Sequence, residues 1–123
     1  MRLETTMNLD DAIAAHAEWK TKLRRAIQKK EPLDVASISS DNKCPLGQWL
    51  HGEAKGQYAR LTSYGTCVAN HAEFHRCAGK VATKINAGNY TEAEAMLANG
   101  TPYAAASSAV GVAIIGLRKE ANL

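Results

Sequence analysis

The sequence predicts an all-α protein, an antiparallel four-helix bundle with a short additional helix. Alanine, the strongest helix former, accounts for 22 of the 123 residues. Val, Ile and Thr are too scattered to form alternating strands, whereas apolar residues recur at helical spacing. The connections between candidate helices are short, which favours antiparallel packing of neighbours. We expect a single domain over residues 1–123, with its core at about 9–118.

The first helix is predicted to begin after Asn8, a good N-cap, with Asp11 as its capping-box partner. It should end before Pro32, because the residue preceding a proline is disfavoured in the α region. The apolar stripe of this helix consists of Leu9, Ile13, His16, Leu23 and Ile27. The basic residues over 20–30 alternate with this stripe, which indicates a solvated helix face.

Residues 31–43 are rich in Pro, Ser, Asp and Asn, which predicts a loop. Beyond the loop, further helices are expected at about residues 45–50, 54–61, 66–86 and 91–99. The third of these, the longest in the chain, should follow a break at 63–65 and be closed by Gly88.

Capping signals mark the last two helices. A capping box at 91–94 is predicted to open the short helix. Thr101 and Pro102 are predicted as the N-cap and first-turn proline of the final helix. The apolar face of that helix consists of Val110, Ala113, Ile114 and Leu117.

Composition excludes several functional classes. Fifteen basic and twelve acidic residues give a net charge of +3, and one Phe, four Tyr and two Trp provide little surface for stacking bases, so no nucleic-acid partner is expected. The longest apolar run, 109–117, contains two glycines and is far shorter than the ~20 residues of a membrane span, so no direct membrane contact is expected. Residues 1–5 lack the apolar region of a signal peptide, and three cysteines form no disulfide framework. Together these features predict a cytoplasmic location.

Histidines supply the first indication of a metal site. His71 and His75 are four residues apart on one helix face, where both imidazoles can chelate one ion. By itself, this pair is a weak signal. His16 lies on the inner stripe of the first helix, where the alternative is a core histidine satisfied by a backbone carbonyl. A histidine on one helix facing a pair on another is an arrangement that builds metal sites in helical bundles.

Two cysteines compete to be the fourth ligand. Cys67 lies one turn before His71 on the same helix face, whereas Cys44 belongs to a separate segment. Cys77 points elsewhere on the long helix and is expected to be a packing residue. Local spacing therefore leaves the choice between Cys44 and Cys67 open.

Three segments carry a resemblance to a known family. They are His16-Ala17-Glu18-Trp19, then Asp41-Asn42-Lys43-Cys44-Pro45-Leu46-Gly47-Gln48-Trp49, then His71-Ala72-Glu73-Phe74-His75. In this order they closely resemble the chemoreceptor zinc-binding (CZB) domain family, over nearly the whole chain. The resemblance implies that the ligands of a Zn²⁺ ion are His16, Cys44, His71 and His75. It thus favours Cys44 and leaves Cys67 with a packing role, ahead of a spare ligand or resolving thiol.

Five residues around these ligands are expected to support the site: Trp19, Asp41, Leu46, Gly47 and Trp49. Leu46 and the two tryptophans should pack in the core, and Gly47 should permit a tight backbone. Asp41 has two alternative roles, as acceptor of a hydrogen bond from a ligand imidazole or as N-cap of the Cys44 helix. His51 matches no motif and is expected to be exposed.

Three imidazoles and one thiolate make a closed tetrahedral shell without a position for water, which predicts that the protein is not an enzyme. By resemblance, the domain is a homodimeric, cytoplasmic sensory module of bacterial chemoreceptors or of cyclic-di-GMP enzymes such as diguanylate cyclases, and it regulates an attached output domain. Cys44 would be the redox-reactive thiolate, sensing hypochlorous acid or zinc. The alternative is a zinc-stapled structural adaptor or dimerisation domain without sensing. Because no output motif occurs in the 123 residues, we expect an excised domain, with residues 1–7 as a linker.

Overall fold

The structure, a computed structural model, describes residues 7–123, so the expectation of a linker over residues 1–7 falls almost entirely outside it. The described residues form helices and no strand, which confirms the all-α class. The eight helices are α1 (Leu9–Ala17), α2 (Trp19–Lys29), α3 (Val35–Ser39), α4 (Pro45–His51), α5 (Glu53–Tyr58), α6 (Thr62–Asn86), α7 (Tyr90–Met96) and α8 (Pro102–Glu120). Within this part of the chain, no helix is both long and apolar enough to cross a bilayer.

The predicted first helix is divided into α1 and α2. Asn8 is the N-cap as predicted, because its side chain accepts a hydrogen bond from the Asp11 N–H at 3.1 Å. The division falls at Glu18, which keeps helical dihedral angles and donates its N–H to Ala14 O, so the chain continues in nearly the same direction. α2 ends at Lys29, its C-cap Lys30 has a left-handed φ of 56°, and the helix therefore stops before Pro32 as expected.

The segment predicted as a loop contains α3, which sequence analysis missed. Asp34 caps this helix by accepting hydrogen bonds from the N–H and hydroxyl groups of Ser37. With only five residues, α3 is too short to show a helical period in the sequence. It packs along α6 and buries Ile38.

The long helix begins earlier than predicted. The break lies at 59–61 instead of 63–65, and α6 begins at Thr62. Glu120, at the end of α8, accepts hydrogen bonds from the N–H and hydroxyl groups of Ser63 and so satisfies a free donor of the first turn. A cap supplied from 57 residues away has no local sequence signal. The C-terminal end is as predicted, since Gly88 has a φ of 81° and follows directly after the C-cap.

The last two helices follow the predicted order. α7 begins at Tyr90 after the N-cap Asn89, so Thr91 lies inside the helix and the predicted capping box at 91–94 is wrong. Thr101 caps α8 as predicted, by accepting a hydrogen bond from the Ala104 N–H at 3.2 Å. The predicted apolar face of α8, at Val110, Ala113, Ile114 and Leu117, is buried.

The core surrounds α6, which packs most extensively on α8 and α3 and also contacts α2, α4 and α7. Ten of its residues are buried, among them Phe74 with no exposed surface. α1 lies against α8 and touches the start of α4. The inner faces of α1 and α6 and the N-terminus of α4 therefore meet in one region of the core.

Candidate metal centre

Four side chains from three helical segments converge on one point. They are His16 of α1, Cys44 at the start of α4, and His71 and His75 of α6, whose ligand atoms all lie within 4.8 Å of one another. His71 Nε2 lies 3.1 Å from both His16 Nε2 and His75 Nε2. Cys44 Sγ lies 3.2, 3.6 and 3.9 Å from the Nε2 atoms of His71, His75 and His16. Zinc bond lengths imply tetrahedron edges of about 3.3 Å between two nitrogens and about 3.6 Å between nitrogen and sulfur.

Backbone carbonyls determine the tautomer of two of these histidines. His16 Nδ1 lies 2.7 Å from Ala12 O, and His75 Nδ1 lies 2.9 Å from Ile38 O. A carbonyl oxygen only accepts, so each Nδ1 carries the hydrogen and each Nε2 directs a lone pair into the cluster. Lone pairs facing one another at this distance repel unless a cation lies between them. The donor set therefore fits a divalent metal ion.

Burial keeps the imidazoles neutral, which is the form that binds metal. Desolvation, reinforced by the neighbouring His75 and His16, lowers the pKa of His71 to about 3. Desolvation also lowers the pKa values of His16 and His75. His71 Nδ1 is buried without a hydrogen-bond partner among the described residues, so no acceptor orients this ring.

Cys44 occupies the N-cap position of α4. Its sulfur accepts a hydrogen bond from the Gly47 N–H at 3.4 Å, and Pro45 fills the first helical position. Burial raises the pKa of the Cys44 thiol, so the metal-free site holds this group protonated. Metal binding here must release one proton, from the sulfur.

Gly47 allows the loop before Cys44 to fold back against α4, as expected. A Cβ atom at this position would lie 1.7 Å from Asp41 O, a distance that no side chain tolerates. Leu46 is buried. Trp49 is partly buried, and the centroid of its ring lies 5.9 Å from that of the Tyr58 ring. These contacts anchor the segment that carries the sulfur.

The structure gives Asp41 neither of the alternative roles. Its carboxylate lies 3.0 Å from Nε2 of His51, which is outside the cluster, and the N-cap of α4 is Cys44 itself. His51 is exposed as expected, but it is paired rather than free. Sequence analysis could not find this pair, because the ten-residue separation matches no helical or turn spacing.

The other two cysteines lie outside the cluster. Cys67 has no exposed surface, and burial raises its pKa to about 11. Helical side chains lean towards the N-terminus, so this short side chain one turn before His71 points away from the convergence point. Cys77 is also buried and donates to a Glu73 carboxylate oxygen at 3.4 Å. Both environments agree with packing roles.

Sequence analysis missed Gly79, which positions α3 against α6. A Cβ atom on Gly79 would lie 1.9 Å from Ser39 Oγ, so glycine permits the close crossing that places the Ile38 carbonyl on His75. A glycine inside a helix, four residues after a candidate ligand, was the available signal. The Ile38 carbonyl, in contrast, gives no signal in the sequence.

The fold and cluster define a class of helical proteins with a buried metal-binding site of three histidines and one cysteine. The chain matches the family described as the chemoreceptor zinc-binding domain over residues 16–82, which is 67 of its 123 residues. The matched region contains all four converging side chains. The protein therefore belongs to the chemoreceptor zinc-binding (CZB) domain family. No curated protein and no solved structure matched the chain.

Proposed function

We propose that this chain is a zinc-binding sensory module of bacterial signalling, in which Cys44 as a zinc-bound thiolate responds to oxidants or to zinc supply. The observation that carries the proposal is the convergence of three buried imidazole nitrogens and one sulfur on a single point. Family membership supports Zn²⁺ as the metal.

The donor set supports a regulatory role over a catalytic one. His16, His71 and His75 would bind as neutral imidazoles and Cys44 as a thiolate, leaving the occupied site with a net charge of +1. Four protein ligands complete a tetrahedral shell, so no position remains at which a water could be activated.

Cys44 is the group that an oxidant can change. Bound zinc would keep its sulfur deprotonated, which is the nucleophilic form. With an oxidant HO–X, the thiolate sulfur attacks oxygen, an S–O bond forms, the O–X bond breaks, and X⁻ leaves with the bonding pair. The sulfur loses two electrons and becomes a sulfenic acid, the reversible first stage of thiol oxidation.

Oxidation would alter the structure at the N-terminus of α4, because Cys44 is both the N-cap of this helix and its contact with the cluster. A neutral sulfenic acid is a weaker ligand than a thiolate, so the site would hold its metal less tightly. Release of the Cys44 segment would change how α4 packs against α1 and α6. In a cytoplasmic homodimer, this change would be transmitted to an attached chemoreceptor or diguanylate cyclase output domain.

The first test is metal content. Purified protein should carry one zinc ion per chain, and Cys44→Ser or His71→Ala should remove it and lower the melting temperature by about 10 °C or more. Matched controls are Cys77→Ser and His51→Ala, which lie outside the cluster and should keep the zinc. Protein without zinc, and with stability unaffected by chelator, would contradict the proposal.

A second measurement separates sensing from a purely structural use of zinc. Hypochlorous acid or hydrogen peroxide should release zinc in proportion to sulfenic acid formed at Cys44, and reductant should restore binding. The helical packing should change over the same range of oxidant, as reported by tryptophan fluorescence in a Trp19→Phe variant, which keeps Trp49 alone. Zinc retained without any conformational response would instead favour a stapled adaptor or dimerisation domain.

A further inference from the structure

A cavity of about 300 Å³ lies beside the cluster, between α1 and the start of α4. Its walls are mostly apolar, and they include Ala15, Trp19, Pro45 and Leu46. Cys44 and His16 also line it. The volume is about ten times the ~30 Å³ that one water molecule occupies in the liquid, so small molecules fit, and one that enters arrives beside Cys44.

The exposure of the four side chains determines where such a molecule meets the cluster. His16, His71 and His75 are 4%, 0% and 2% exposed, whereas Cys44 is only partly buried. Of the four residues, Cys44 is therefore the one most open to a molecule from solvent. Trp19, a residue of the His16 motif without a role in the cluster itself, forms part of the wall of this approach.

The apolar walls of the cavity favour uncharged molecules. Asp11 is the carboxylate among the residues that line it; no lysine or arginine lines it, and Lys22 Nζ lies 4.9 Å from the centroid of the Trp19 ring. An anion entering would lose hydration against the apolar walls and would be repelled by Asp11, and the +1 charge of a zinc-loaded cluster would offset only part of this cost. A small uncharged molecule meets neither cost.

We propose that this cavity is a binding and access site for small uncharged electrophiles, and that it selects which oxidants reach Cys44. The proposal rests on the proposed redox role of Cys44 and concerns the step before reaction. An undissociated peroxide or hypohalous acid, HO–X, enters the cavity. The Cys44 sulfur then takes its oxygen while X⁻ leaves with the O–X bonding pair. The corresponding anions enter less readily.

The test measures rates of thiol modification at each cysteine by mass spectrometry in the full-length chain. The probe is methyl methanethiosulfonate, an uncharged reagent that transfers its methylthio group to a thiolate and releases methanesulfinate. Ala15→Leu should slow modification of Cys44 about fivefold or more, because the added carbons fill part of the cavity. Ala14→Leu is the matched control: the same substitution on the neighbouring exposed residue of α1, outside the cavity, should leave the rate unchanged.

A second arm varies the charge of the reagent in the wild-type chain. The anionic 2-sulfonatoethyl methanethiosulfonate should modify Cys44 about tenfold more slowly than the uncharged reagent, and Asp11→Asn should narrow this difference. The rates of the two reagents with a small free thiol correct for their intrinsic reactivities.

Equal Cys44 rates in wild type, Ala15→Leu and Ala14→Leu would overturn the proposal, as would equal rates for the two reagents. If Ala15→Leu loses its zinc, the charge comparison in wild type decides the question. Should access depend on the cavity while oxidation leaves zinc and packing unchanged, the sensing function fails and the access site stands. If oxidant releases zinc at the same rate in wild type and in Ala15→Leu, the sensing function stands and the access site fails.

Discussion

At the scale of single residues, the site depends on groups that hold its ligands as much as on the ligands. Main-chain oxygens of Ala12 and Ile38 set the tautomers of His16 and His75. Gly47 lets the Cys44 segment fold onto its own helix. The ligand types were predictable from motifs, whereas the carbonyls were not, because every residue has one and only the fold selects which carbonyl is used.

Gly47→Ala provides a test at this scale. The new Cβ would overlap Asp41 O, so the loop must move, and we expect zinc-loaded protein to lose about 1–3 kcal/mol of stability together with some zinc affinity. Gly56→Ala is the matched control, since its Cβ would meet nothing within 4 Å in α5 and alanine favours a helix. Urea unfolding and competition with a zinc chelator measure the two effects. Equal stability of the two variants would show that the close contact is unimportant.

At the scale of elements, sequence analysis found two local helix caps but missed features that depend on a distant partner. The caps at Asn8 and Thr101 are local side-chain contacts, and both were predicted. The start of α6 depends on Glu120 of α8, which neighbouring residues do not reveal. α3 has a local cap at Asp34, but five residues are too few to form a stable helix without packing on α6. The missed helix nevertheless contributes the carbonyl that orients His75.

The contribution of α3 is testable through Gly79→Ala. Its Cβ would clash with Ser39 and push α3 away from α6, so the Ile38 carbonyl would leave His75. Loss of such an orienting hydrogen bond typically costs about 10-fold or more in metal affinity. Adding Ser39→Gly should restore most of the affinity by removing the clashing side chain. Gly111→Ala in α8, where the Cβ meets nothing within 4 Å, should bind zinc normally; an equal loss there would refute the α3 explanation.

At the scale of the whole molecule, the cluster joins parts of the chain that are far apart in sequence. Cys44 is 28 residues from His16 and 27 from His71, and a metal that links them closes long loops. Spacing could not choose between Cys44 and Cys67, because that choice depends on how α4 packs across α1 and α6. The family motifs indicated Cys44, and the structure brings Cys44 and not Cys67 to the three histidines.

A buried group of three neutral histidines also predicts how the metal-free protein responds to acid. In the unfolded chain each imidazole gains a proton below about pH 6.5, whereas desolvation lowers the folded pKa values, to about 3 for His71. The unfolded state therefore binds more protons as the pH falls from 6.5. The free energy of unfolding should then decrease, by at most about 1.4 kcal/mol per pH unit for each histidine.

Urea unfolding of chelator-treated protein between pH 7.5 and 5, above the range where carboxylates titrate, measures this slope. His71→Leu should reduce the slope, because one buried proton acceptor is removed. Saturating zinc should delay the loss of stability to lower pH, since the bound metal competes with the protons for the same nitrogens. A metal-free protein equally stable at pH 7 and pH 5 would mean that the histidines are not held neutral in the folded core.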